Sequence, residues 1–427
     1  MDPLAVPLST RRPAGQMDRE SSPKLGQMSP PRTSESEDRI TVEGAQPRQQ
    51  PWSEPDVKLT VMQENLARGL SVVSRAVSNR SLPVLTNVLL KTEDGGLKLT
   101  ATNLEIGITY WVPGKIEVDG ATSVPARLLT DLVNSLPGSE PIALELADGE
   151  TLHIRAGRFE SNIKGIPAED FPTVQTAGER PITRVAQKVL RQALDETAFA
   201  AATDEARPIL TGVLAKFEGD QLTLAAADNY RIAVKTITVL DPVEETSVVI
   251  PARALHELAR VLSDTDEPVS IVLAHSRNQL LFHIDGIDLV TRLIDGQYPN
   301  YQTVLPASHA TRAVLDREEL LRAVRPAALI AHESANIVKL GVGLDGDGAI
   351  TVSANAEVGD HVGRVEAAIE GDGTTIAFNA RFLADVLTNI DAAQFALELN
   401  GPLSPGVFKP IGDDRYVHVV MPLRTTS

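Results

Sequence analysis

The sequence predicts an α+β protein built from three tandem repeats. A helix-like segment occurs three times, as VPARLLTDLV from Val124, IPARALHELA from Ile250 and FNARFLADVL from Phe378, about 127 residues apart. Each repeat also ends in segments whose apolar residues alternate with polar ones: LHIRAGRFESNIKGI, LLFHIDGIDLVTRLI and YVHVVMPLR. A period of two is typical of half-buried strands. We therefore expect two helices and several antiparallel strands in each repeat.

The order of elements within a repeat is also repeated. An apolar strand follows the opening helix in each case: LPVLTNVLL from Leu82, RPILTGVLAKF from Arg207 and, more weakly, NIVKLGVGL from Asn336. A second strand and a turn come next, in LKLTATNLEIGI, LTLAAADNYRIAV and ITVSANAEVGDHV. Asn103, Asp228 and Asn355 occupy the predicted turns, and such side chains stabilise turns by bonding their own backbone.

The repeats follow an N-terminal extension of different composition. Residues 1–55 are rich in Pro, Ser, Arg, Glu and Gln and have no apolar periodicity, so we predict that they are disordered. Met17, Met28 and Met62 are alternative translation starts, although a start at Met62 would remove part of the predicted first strand. The predicted domains are residues 56–178, 179–307 and 308–427.

Composition restricts the class of protein. The chain has 427 residues, of which 42% are hydrophobic, enough for several domains with cores of their own. The absence of cysteine excludes disulfides and thiolate chemistry. Neither a membrane span nor a signal peptide is predicted, and we expect a cytoplasmic protein. Because the formal net charge is −17, contact with nucleic acid would require basic side chains gathered on one surface.

The opening helices offer such a surface. In the second repeat, Ala186, Leu190, Ala193 and Leu194 form an apolar stripe, and Arg184, Lys188 and Arg191 recur on another face. The corresponding basic positions are Arg68, Arg75 and Arg80 in the first repeat and Arg322 and Arg325 in the third. In the third repeat Pro326 is expected to kink or end the helix. A charged face on one helix is usually only solvated, but its recurrence in an acidic protein favours a basic surface with a function.

Motifs for catalysis and metal binding are lacking. The eight histidines show no HExxH pair or close metal spacing, and the chain has no P-loop, GxSxG or GxGxxG motif. Acidic residues are plentiful, but sequence alone does not show two of them facing each other as an acid and base pair. We therefore predict no metal, no cofactor and no enzymatic activity.

The motifs together resemble one family. The three repeats, LPVLTNVLL, AAADNYRIAV, the PAR and NAR helices, DGQYPNYQTVLP and the terminal VVMPLR are similar to the bacterial replication sliding clamp, the beta subunit of DNA polymerase III. The resemblance covers residues 56–424. It implies three clamp domains, and a head-to-tail homodimer that forms a six-domain ring around duplex DNA. Helices would line the hole, and the ring would act as a processivity factor that slides without reading bases.

The resemblance and the basic helix faces together predict a DNA-contacting surface. Basic side chains on an inner wall and an acidic exterior would place positive charge only where phosphates pass. The predicted DNA-binding residues are Arg68, Arg75, Arg80, Arg184, Lys188, Arg191, Arg207, Arg322 and Arg325.

The resemblance further implies a hydrophobic cleft between the second and third domains. In the family, this cleft takes short linear peptides from DNA polymerase III, the clamp loader and repair proteins. The matching residues are Leu210, Arg231, Ile232, Pro299, Val304, Asn379, Phe382, Val419, Met421, Pro422, Leu423 and Arg424. This chain departs from the family pattern at three places. Asn229 and Tyr230 stand where the family commonly has Gly-His, and Thr303 stands where it commonly has arginine. Ala335 stands where a larger residue lines the wall.

Two other classes of function remain open on the sequence. One is a clamp-like scaffold that binds proteins but no longer encircles DNA, for example a second copy beside a main clamp. The other is an enzyme built on the same repeat, which would require acidic residues to converge in a pocket. The sequence does not identify the clamp loader, the preferred peptide or the role of the N-terminal extension.

Overall fold

The computed structural model describes residues 57–78, 82–138, 140–147, 150–176, 178, 180–274, 278–344, 346 and 348–424. The extension predicted to be disordered and Arg80 lie outside the described residues.

The three repeats have the same sequence of elements. Repeat 1 contains β1 (Val57–Met62), α1 (Gln63–Val73), β2 (Asn87–Glu93), β3 (Gly96–Thr102), β4 (Ile106–Val118), β5 (Ala121–Pro125), α2 (Ala126–Ser135), β6 (Pro141–Ala147), β7 (Thr151–Ala156), β8 (Phe159–Lys164) and β9 (Ile166–Pro167). Repeat 2 contains β10 (Thr183–Ala186), α3 (Gln187–Thr197), β11 (Gly212–Ala227), β12 (Arg231–Pro251), α4 (Ala252–Val261), β13 (Pro268–Leu273), β14 (Gln279–Ile284) and β15 (Ile287–Arg292).

Repeat 3 contains β16 (Thr311–Asp316), α5 (Arg317–His332), β17 (Ile337–Val342), β18 (Ala349–Ala356), β19 (Gly359–Gly371), β20 (Thr374–Asn379), α6 (Ala380–Asn389), β21 (Gln394–Leu399), β22 (Gly406–Pro410) and β23 (Tyr416–Val420). All strand pairs among the described residues are antiparallel. The predicted α+β class, with two helices in each repeat, is confirmed.

The PAR and NAR segments form the second helix of each repeat. α2, α4 and α6 each begin directly after the residue that ends a strand. Leu129, Leu255 and Leu383 occupy the same place in these helices and are buried. At the start of α6 the Asn379 side chain accepts a hydrogen bond from the Arg381 backbone N–H, which satisfies a group that has no partner inside the helix. The repeated apolar spacing thus reflects one buried face per helix.

Strand pairing crosses both boundaries between repeats. The last strand of repeat 2, β15, pairs with β4 of repeat 1, from Ile287 opposite Tyr110 to Thr291 opposite Ile106. The last strand of repeat 3, β23, pairs with β12 of repeat 2 over five residues. Each repeat therefore continues the sheet of the repeat before it, in the same register.

The helices form pairs on one side of these sheets. α1 packs with α2, α3 with α4, and α5 with α6. An ion pair between Arg75 and Glu257 joins repeat 1 to α4, and one between Arg231 and Asp385 joins repeat 2 to α6. α4 and α6 therefore each contact the repeat that lies across a boundary from them. No helix in the described part of the chain is long and apolar enough to cross a membrane.

Two local predictions were wrong, and the structure excludes one of the two alternatives given for Pro326. Arg184 and Ala186 lie in strand β10, because α3 begins only at Gln187. α5 does not end at Pro326 but continues to His332. Asn355 lies in β18 opposite Asp360, before the turn, and so is not equivalent to Asn103 and Asp228. Those two side chains do accept backbone N–H bonds within their turns, as turn chemistry predicts.

Candidate functional site

A cavity of about 330 Å³ lies where repeats 2 and 3 meet. It is bounded by the turn between β11 and β12, by the segment after β15 and by the end of β23. Its lining residues are Arg207, Leu210, Ala227, Asp228, Asn229, Arg231, Ile232, Tyr298, Pro299, Asn300, Tyr301, Val304, Val419 and Met421. We call this cavity the second-junction cleft.

Most predicted cleft residues line this cavity. Those that do are Leu210, Arg231, Ile232, Pro299, Val304, Val419 and Met421. The others lie beside it. Phe382 packs on Tyr230 and Arg231, Asn379 caps α6, and the Leu423 backbone N–H donates to the Ala377 carbonyl. Arg424 lines a different cavity in repeat 3. Pro422 directly follows Met421 and is not among the lining residues.

The cleft has an apolar floor and an accessible mouth. Ile232 and Val419 are opposite each other across the β12–β23 pair and belong to one buried apolar cluster. Leu210 and Tyr298 belong to a second cluster on the neighbouring wall. Met421 is 38% exposed at the mouth, where its backbone N–H donates to the Tyr230 carbonyl at 2.7 Å. A buried apolar floor beneath an accessible flexible side chain is suited to apolar side chains of a ligand.

Arg231 holds the back of the cleft in place. Its guanidinium donates to Asp228 at 3.1 Å, to Asp385 at 2.6 Å and to the Phe199 carbonyl at 2.9 Å. It also lies 4.8 Å from the centre of the Phe382 ring. Because only 7% of this residue is exposed, its charge depends on these partners. Arg231 thus ties repeat 2 to α6 of repeat 3.

A second buried cation supports the same boundary. Lys235 forms ion pairs at 2.6 Å with Glu196 and with Asp413. Burial raises the pKa of Glu196 despite this pairing. Burial alone would also raise the pKa of Asp413, but its bonds to the Lys235 ammonium and to the Arg415 backbone bring that pKa below its usual value. The charges on Lys235 and Asp413 therefore stabilise each other.

His418 lies in the middle of this boundary. Its ring stacks on Phe199 with centroids 5.4 Å apart and meets the edge of Phe408 at 6.4 Å. Burial, with a further contribution from the Arg231 charge, lowers the pKa of His418 to about 3. The imidazole is therefore neutral at physiological pH.

The rim carries the residues that depart from the family pattern. Arg207 donates to the Asn229 side chain at 3.1 Å across the rim. Tyr230 is 52% exposed and stacks on Phe382, with ring centroids 5.7 Å apart. Thr303 bonds the Asn300 carbonyl and is not among the lining residues. Ala335 lines the cavity in repeat 3 and not this cleft.

Sequence reasoning missed several lining residues. They are Ala227, Asp228, Asn229, Tyr298, Asn300 and Tyr301, together with Arg207, which we had assigned only to DNA binding. The segment QYPNYQ contains three of these, and its density of Tyr, Pro and Asn in a connection of an otherwise aromatic-poor chain was the available signal.

Among the exposed charged side chains of the six helices, basic ones outnumber acidic ones. Among the described helical residues, the exposed Lys and Arg side chains are Arg68, Arg127, Lys188, Arg191, Arg253, Arg260, Arg322, Arg325 and Arg381. The exposed acidic side chains there are Glu64, Asp131, Asp195, Glu318 and Glu319. This excess of positive charge contrasts with the formal charge of −17 for the whole chain. The helix layer is therefore the basic surface that contact with nucleic acid would require.

The predicted DNA-binding residues differ in their surroundings. Arg184 bonds Asp241 through two atoms at 2.7 and 3.0 Å, and Lys188 bonds Asp266 at 2.8 Å. These bonds raise the pKa of both basic groups. Arg191 lies 3.9 Å from Asp195 and Arg75 lies 3.5 Å from Glu257. Arg68, Arg322 and Arg325 are exposed on α1 and α5, and Arg207 is at the cleft rim.

Metal chemistry finds no support in this part of the chain. Over the residues that the structure describes, no group of three or more His, Asp or Glu side chains is arranged to hold a metal ion.

Family models match the chain in three consecutive segments. The N-terminal domain of the DNA polymerase III beta subunit matches residues 57–175, the central domain matches residues 184–300 and the C-terminal domain matches residues 302–424.

Individual relatives match over the same extent. A beta sliding clamp of Synechococcus elongatus is 35% identical over 378 residues, covering 87% of this chain and 100% of the relative. The solved DNA polymerase sliding clamp of Bacillus subtilis has 29% identity and a TM-score of 0.82, covering 87% of this chain and 100% of that one. The DNA polymerase III subunit beta of Pseudomonas aeruginosa has 31% identity and a TM-score of 0.80, covering 86% and 100%.

Proposed function

The chain belongs to the DNA polymerase III beta-subunit family, and we propose that two copies of it close head to tail into a six-domain ring around duplex DNA. The protein is a beta sliding clamp, which is a DNA polymerase processivity factor and not an enzyme. Membership of this family implies DNA and a polymerase as partners. We further propose domains at residues 56–178, 179–307 and 308–427, and a cytoplasmic location.

The strand register across the two repeat boundaries carries the ring proposal. At each boundary, five residues at the start of the last strand pair with five residues of the long strand in the preceding repeat. Two strands have no such partner among the described residues: β8, the strand of repeat 1 that is equivalent to β15 and β23, and the first half of β19 in repeat 3. Edges of this kind pair readily with another chain. A second copy would satisfy both, and two such contacts close a ring with two-fold symmetry.

The same register specifies which residues meet. Extended to the ring, it would pair Phe159 of β8 with Gly363 of the partner subunit, as Ile287 pairs with Tyr110 and Tyr416 with Lys235. Phe159 is 46% exposed in the single chain. On the side that a side chain of Gly363 would occupy, an added Cβ would lie 3.5 Å from the Cβ of Ala323 in α5 and 3.4 Å from Nε2 of His361.

The helix layer supports DNA as the occupant of the hole. In a closed ring the six helices of each copy would line the hole, with α4 and α6 each bonded across a repeat boundary. Exposed arginine and lysine side chains on that wall would contact phosphates without reading bases. The predicted DNA-binding residues Arg68, Lys188, Arg191, Arg322 and Arg325 belong to this exposed set.

The second-junction cleft supports binding of linear peptides. Its apolar floor, its mouth at Met421 and its volume fit a few apolar side chains of an extended segment. We assign it to peptides of the polymerase, the clamp loader and repair proteins. These partners would then compete for one site on each copy.

Native mass tests the closure of the ring. We expect a homodimer at micromolar concentration by sedimentation equilibrium. Phe159→Asp should weaken the dimer more than a hundredfold, because a charge would replace an apolar anchor worth about 3 kcal/mol. Leu240→Asp, on a strand surface and 55% exposed, is the matched control and should leave the mass unchanged. A wild-type chain that sediments only as a monomer would contradict the ring.

Retention on circular DNA tests the topology. The protein is loaded onto nicked circular DNA by a related clamp loader with ATP, the salt is raised, and the circle is then cut once. We expect retention on the circle at high salt, where phosphate contacts are weak, and rapid loss after linearisation. Release from the intact circle as salt rises would instead indicate an ordinary DNA binder or the scaffold that no longer encircles DNA.

A further inference from the structure

A second cavity, of about 550 Å³, adjoins the second-junction cleft. Tyr298 lines both cavities, and Leu214 lines the second one while packing on the apolar cluster that forms the cleft floor. The other lining residues are Lys216, Ser247, Val248, Val249, Leu293, Ile294, Asp295, Gly296 and Gln297. We call it the edge cavity, because one edge of β12 borders it. A ligand in the cleft can therefore extend past Tyr298 into the edge cavity.

The edge of β12 that borders this cavity is open at Ser247. β11 pairs with the other side of this part of β12, from Gly212 to Phe217. On the cavity side, the Ile294 backbone N–H donates to the Val249 carbonyl at 2.9 Å. Because alternate residues of a strand direct their N–H and C=O groups to the same side, Ser247 presents both groups to this edge as Val249 does. No described strand pairs with Ser247 there, and such an edge readily accepts another strand.

Repeat 1 shows how the chain closes the equivalent edge. There β9 pairs with β5, and Pro167 lies opposite Thr122. Counted from the first residues of β8 and β15, the residue of repeat 2 that corresponds to Pro167 is Asp295, which has no strand partner. The chain bends at the next residue, Gly296, whose φ of +133° favours glycine. The edge cavity thus lies where repeat 1 has an additional strand pair.

Acidic side chains outnumber basic ones around the edge cavity. Lys216 is the basic residue of the described lining, and its ammonium bonds Glu218 at 2.6 Å and Glu245 at 3.3 Å. Asp295 is exposed and forms no ion pair with another described residue. Three carboxylates therefore surround one ammonium. This excess of negative charge favours a positively charged ligand.

We propose that linear peptides bound in the second-junction cleft continue into the edge cavity, where a basic flank adds to β12 at Ser247 as an extended strand. Backbone pairing of this kind supplies affinity for many sequences, and the carboxylates around the cavity select lysine or arginine in the flank. The inference rests on the proposed binding of peptides by the second-junction cleft. It specifies their class: apolar side chains for the cleft, next to a short basic segment.

Peptides added to the full-length protein test the basic flank. The core probe is a fluorescein-labelled short polymerase-derived peptide. Two longer probes carry Lys-Thr-Lys-Val at its N-terminal or its C-terminal end, a flank that spans roughly 13 Å when extended. We expect one of the longer probes to bind at least tenfold more tightly than the core probe by fluorescence anisotropy, and this gain to shrink as salt is raised. Equal affinity of all three probes would overturn the inference.

Charge reversal in the edge cavity tests where the flank binds. Asp295→Lys should reduce the gain from the flank at least fivefold and leave the affinity of the core probe within twofold. Glu169→Lys is the matched control, because Glu169 is exposed in the corresponding segment of repeat 1, where β9 pairs with the edge. This control should leave all affinities within twofold. If both variants reduce the gain equally, the overall charge of the protein and not the edge cavity selects the flank, and the inference is wrong.

Methylation of the peptide backbone tests strand addition. In a flank that pairs with β12, alternate N–H groups face the edge at Ser247 and the others face away from it. One probe is methylated on the first and third backbone nitrogens of the flank, and another on the second and fourth. We expect one of them to keep the gain and the other to fall to the affinity of the core probe. Equal affinities of the two probes would show that the flank does not pair as a strand, which would overturn the inference.

The inference and the proposed function fail in different ways. A core probe that does not bind, or that binds Met421→Ala as tightly as the wild type, would overturn the second-junction cleft as the peptide site, and this inference with it. A core probe that binds and is weakened by Met421→Ala, while neither flank adds affinity, would overturn this inference and leave the cleft as the peptide site.

Discussion

The boundaries between repeats 1 and 2 and between repeats 2 and 3 share one strand register but differ in what fills them. At the first, Val174 covers Gly107 so closely that a Cβ on this glycine would lie 2.6 Å from the valine side chain. At the second boundary, Ile232 occupies the position equivalent to Gly107 and is paired with Val419. A cavity of about 330 Å³ remains above these two residues. The same backbone frame therefore gives a closed core at one boundary and an open cleft at the other.

Their electrostatics differ as well. The second boundary contains the buried cations Arg231 and Lys235, at positions where the first has Ile106 and Tyr110. At the first boundary the cross-boundary ion pair is Arg75 with Glu257, with side chains 32% and 14% exposed. An open cleft leaves less apolar contact to hold two repeats together. The comparison indicates that buried ion pairs hold two repeats together where apolar packing between them is incomplete.

The largest expected effect comes from removing the cation of the second boundary. Arg231→Met would leave Asp228 and Asp385 partly buried without their counter-charge, and we expect a loss of about 3 to 5 kcal/mol in the free energy of unfolding. Arg75→Met is the matched change at the first boundary and should cost less than about 1 kcal/mol, because that pair is partly solvated. Urea denaturation of both variants measures the difference. Equal losses would mean that the two boundaries are stabilised alike.

Next in size is the loss of peptide binding. Met421→Ala should weaken binding of a short polymerase-derived peptide about thirtyfold or more, since an anchor in a desolvated pocket contributes about 2 kcal/mol. Arg292 is the equivalent residue at the first boundary, and Arg292→Ala should leave the affinity unchanged. Calorimetry with each dimeric variant gives the values. Unaltered affinity in Met421→Ala would place the peptide site elsewhere.

Acid should affect the second boundary through His418. The unfolded chain takes up a proton on this histidine near pH 6.5, whereas the folded chain does so only near its pKa of about 3. The stability contribution is therefore present above pH 6.5 and is lost as the pH falls, by about 2 kcal/mol at pH 5. Leu289 is the equivalent residue at the first boundary. His418→Leu should remove this part of the pH dependence. Denaturation at pH 7 and pH 5 measures it, and the same change in the free energy of unfolding as in the wild type would contradict the prediction.

The smallest effect is expected from opening the closed boundary. Val174→Ala removes the side chain that covers Gly107, and we expect a loss of about 1 to 2 kcal/mol from the gap that is left. Val304→Ala at the second boundary should cost only a few tenths of that, because Val304 is already 43% exposed. Melting temperatures of the two variants rank them. A reversed order would mean that the second boundary is the better packed.

The repeats could be predicted from sequence because they depend on local patterns, whereas the cleft residues were named only by the family resemblance. The apolar spacing of Leu129, Leu255 and Leu383 identified three equivalent helices, and period-two alternation identified the closing strands. Arg184 was misplaced because a basic residue three to four positions before others fits a helix face equally well when it lies in the strand ahead. Helical spacing places basic residues on one face only when all of them lie within the helix.

Other features depended on contacts between distant residues. Arg231 and Asp385 are 154 positions apart, and nothing near either one marks it as the partner of the other. The register of three strand pairs must be known before Lys339 and Asp360 of repeat 3 can be matched with Leu214 and Ile232 of repeat 2. The family resemblance named Arg424 as a residue of the apolar cleft, and only the fold places it in the polar cavity of repeat 3.

The five-residue strand pair at each boundary also has a mechanical consequence. Hydrogen bonds between antiparallel strands lie across the strands, so tension that pulls two repeats directly apart loads the whole ladder at once. A rotation of one repeat against its neighbour concentrates the load on the residue pair at one end, and the ladder then parts one bond at a time. Such a joint is stiff toward stretching and compliant toward twisting.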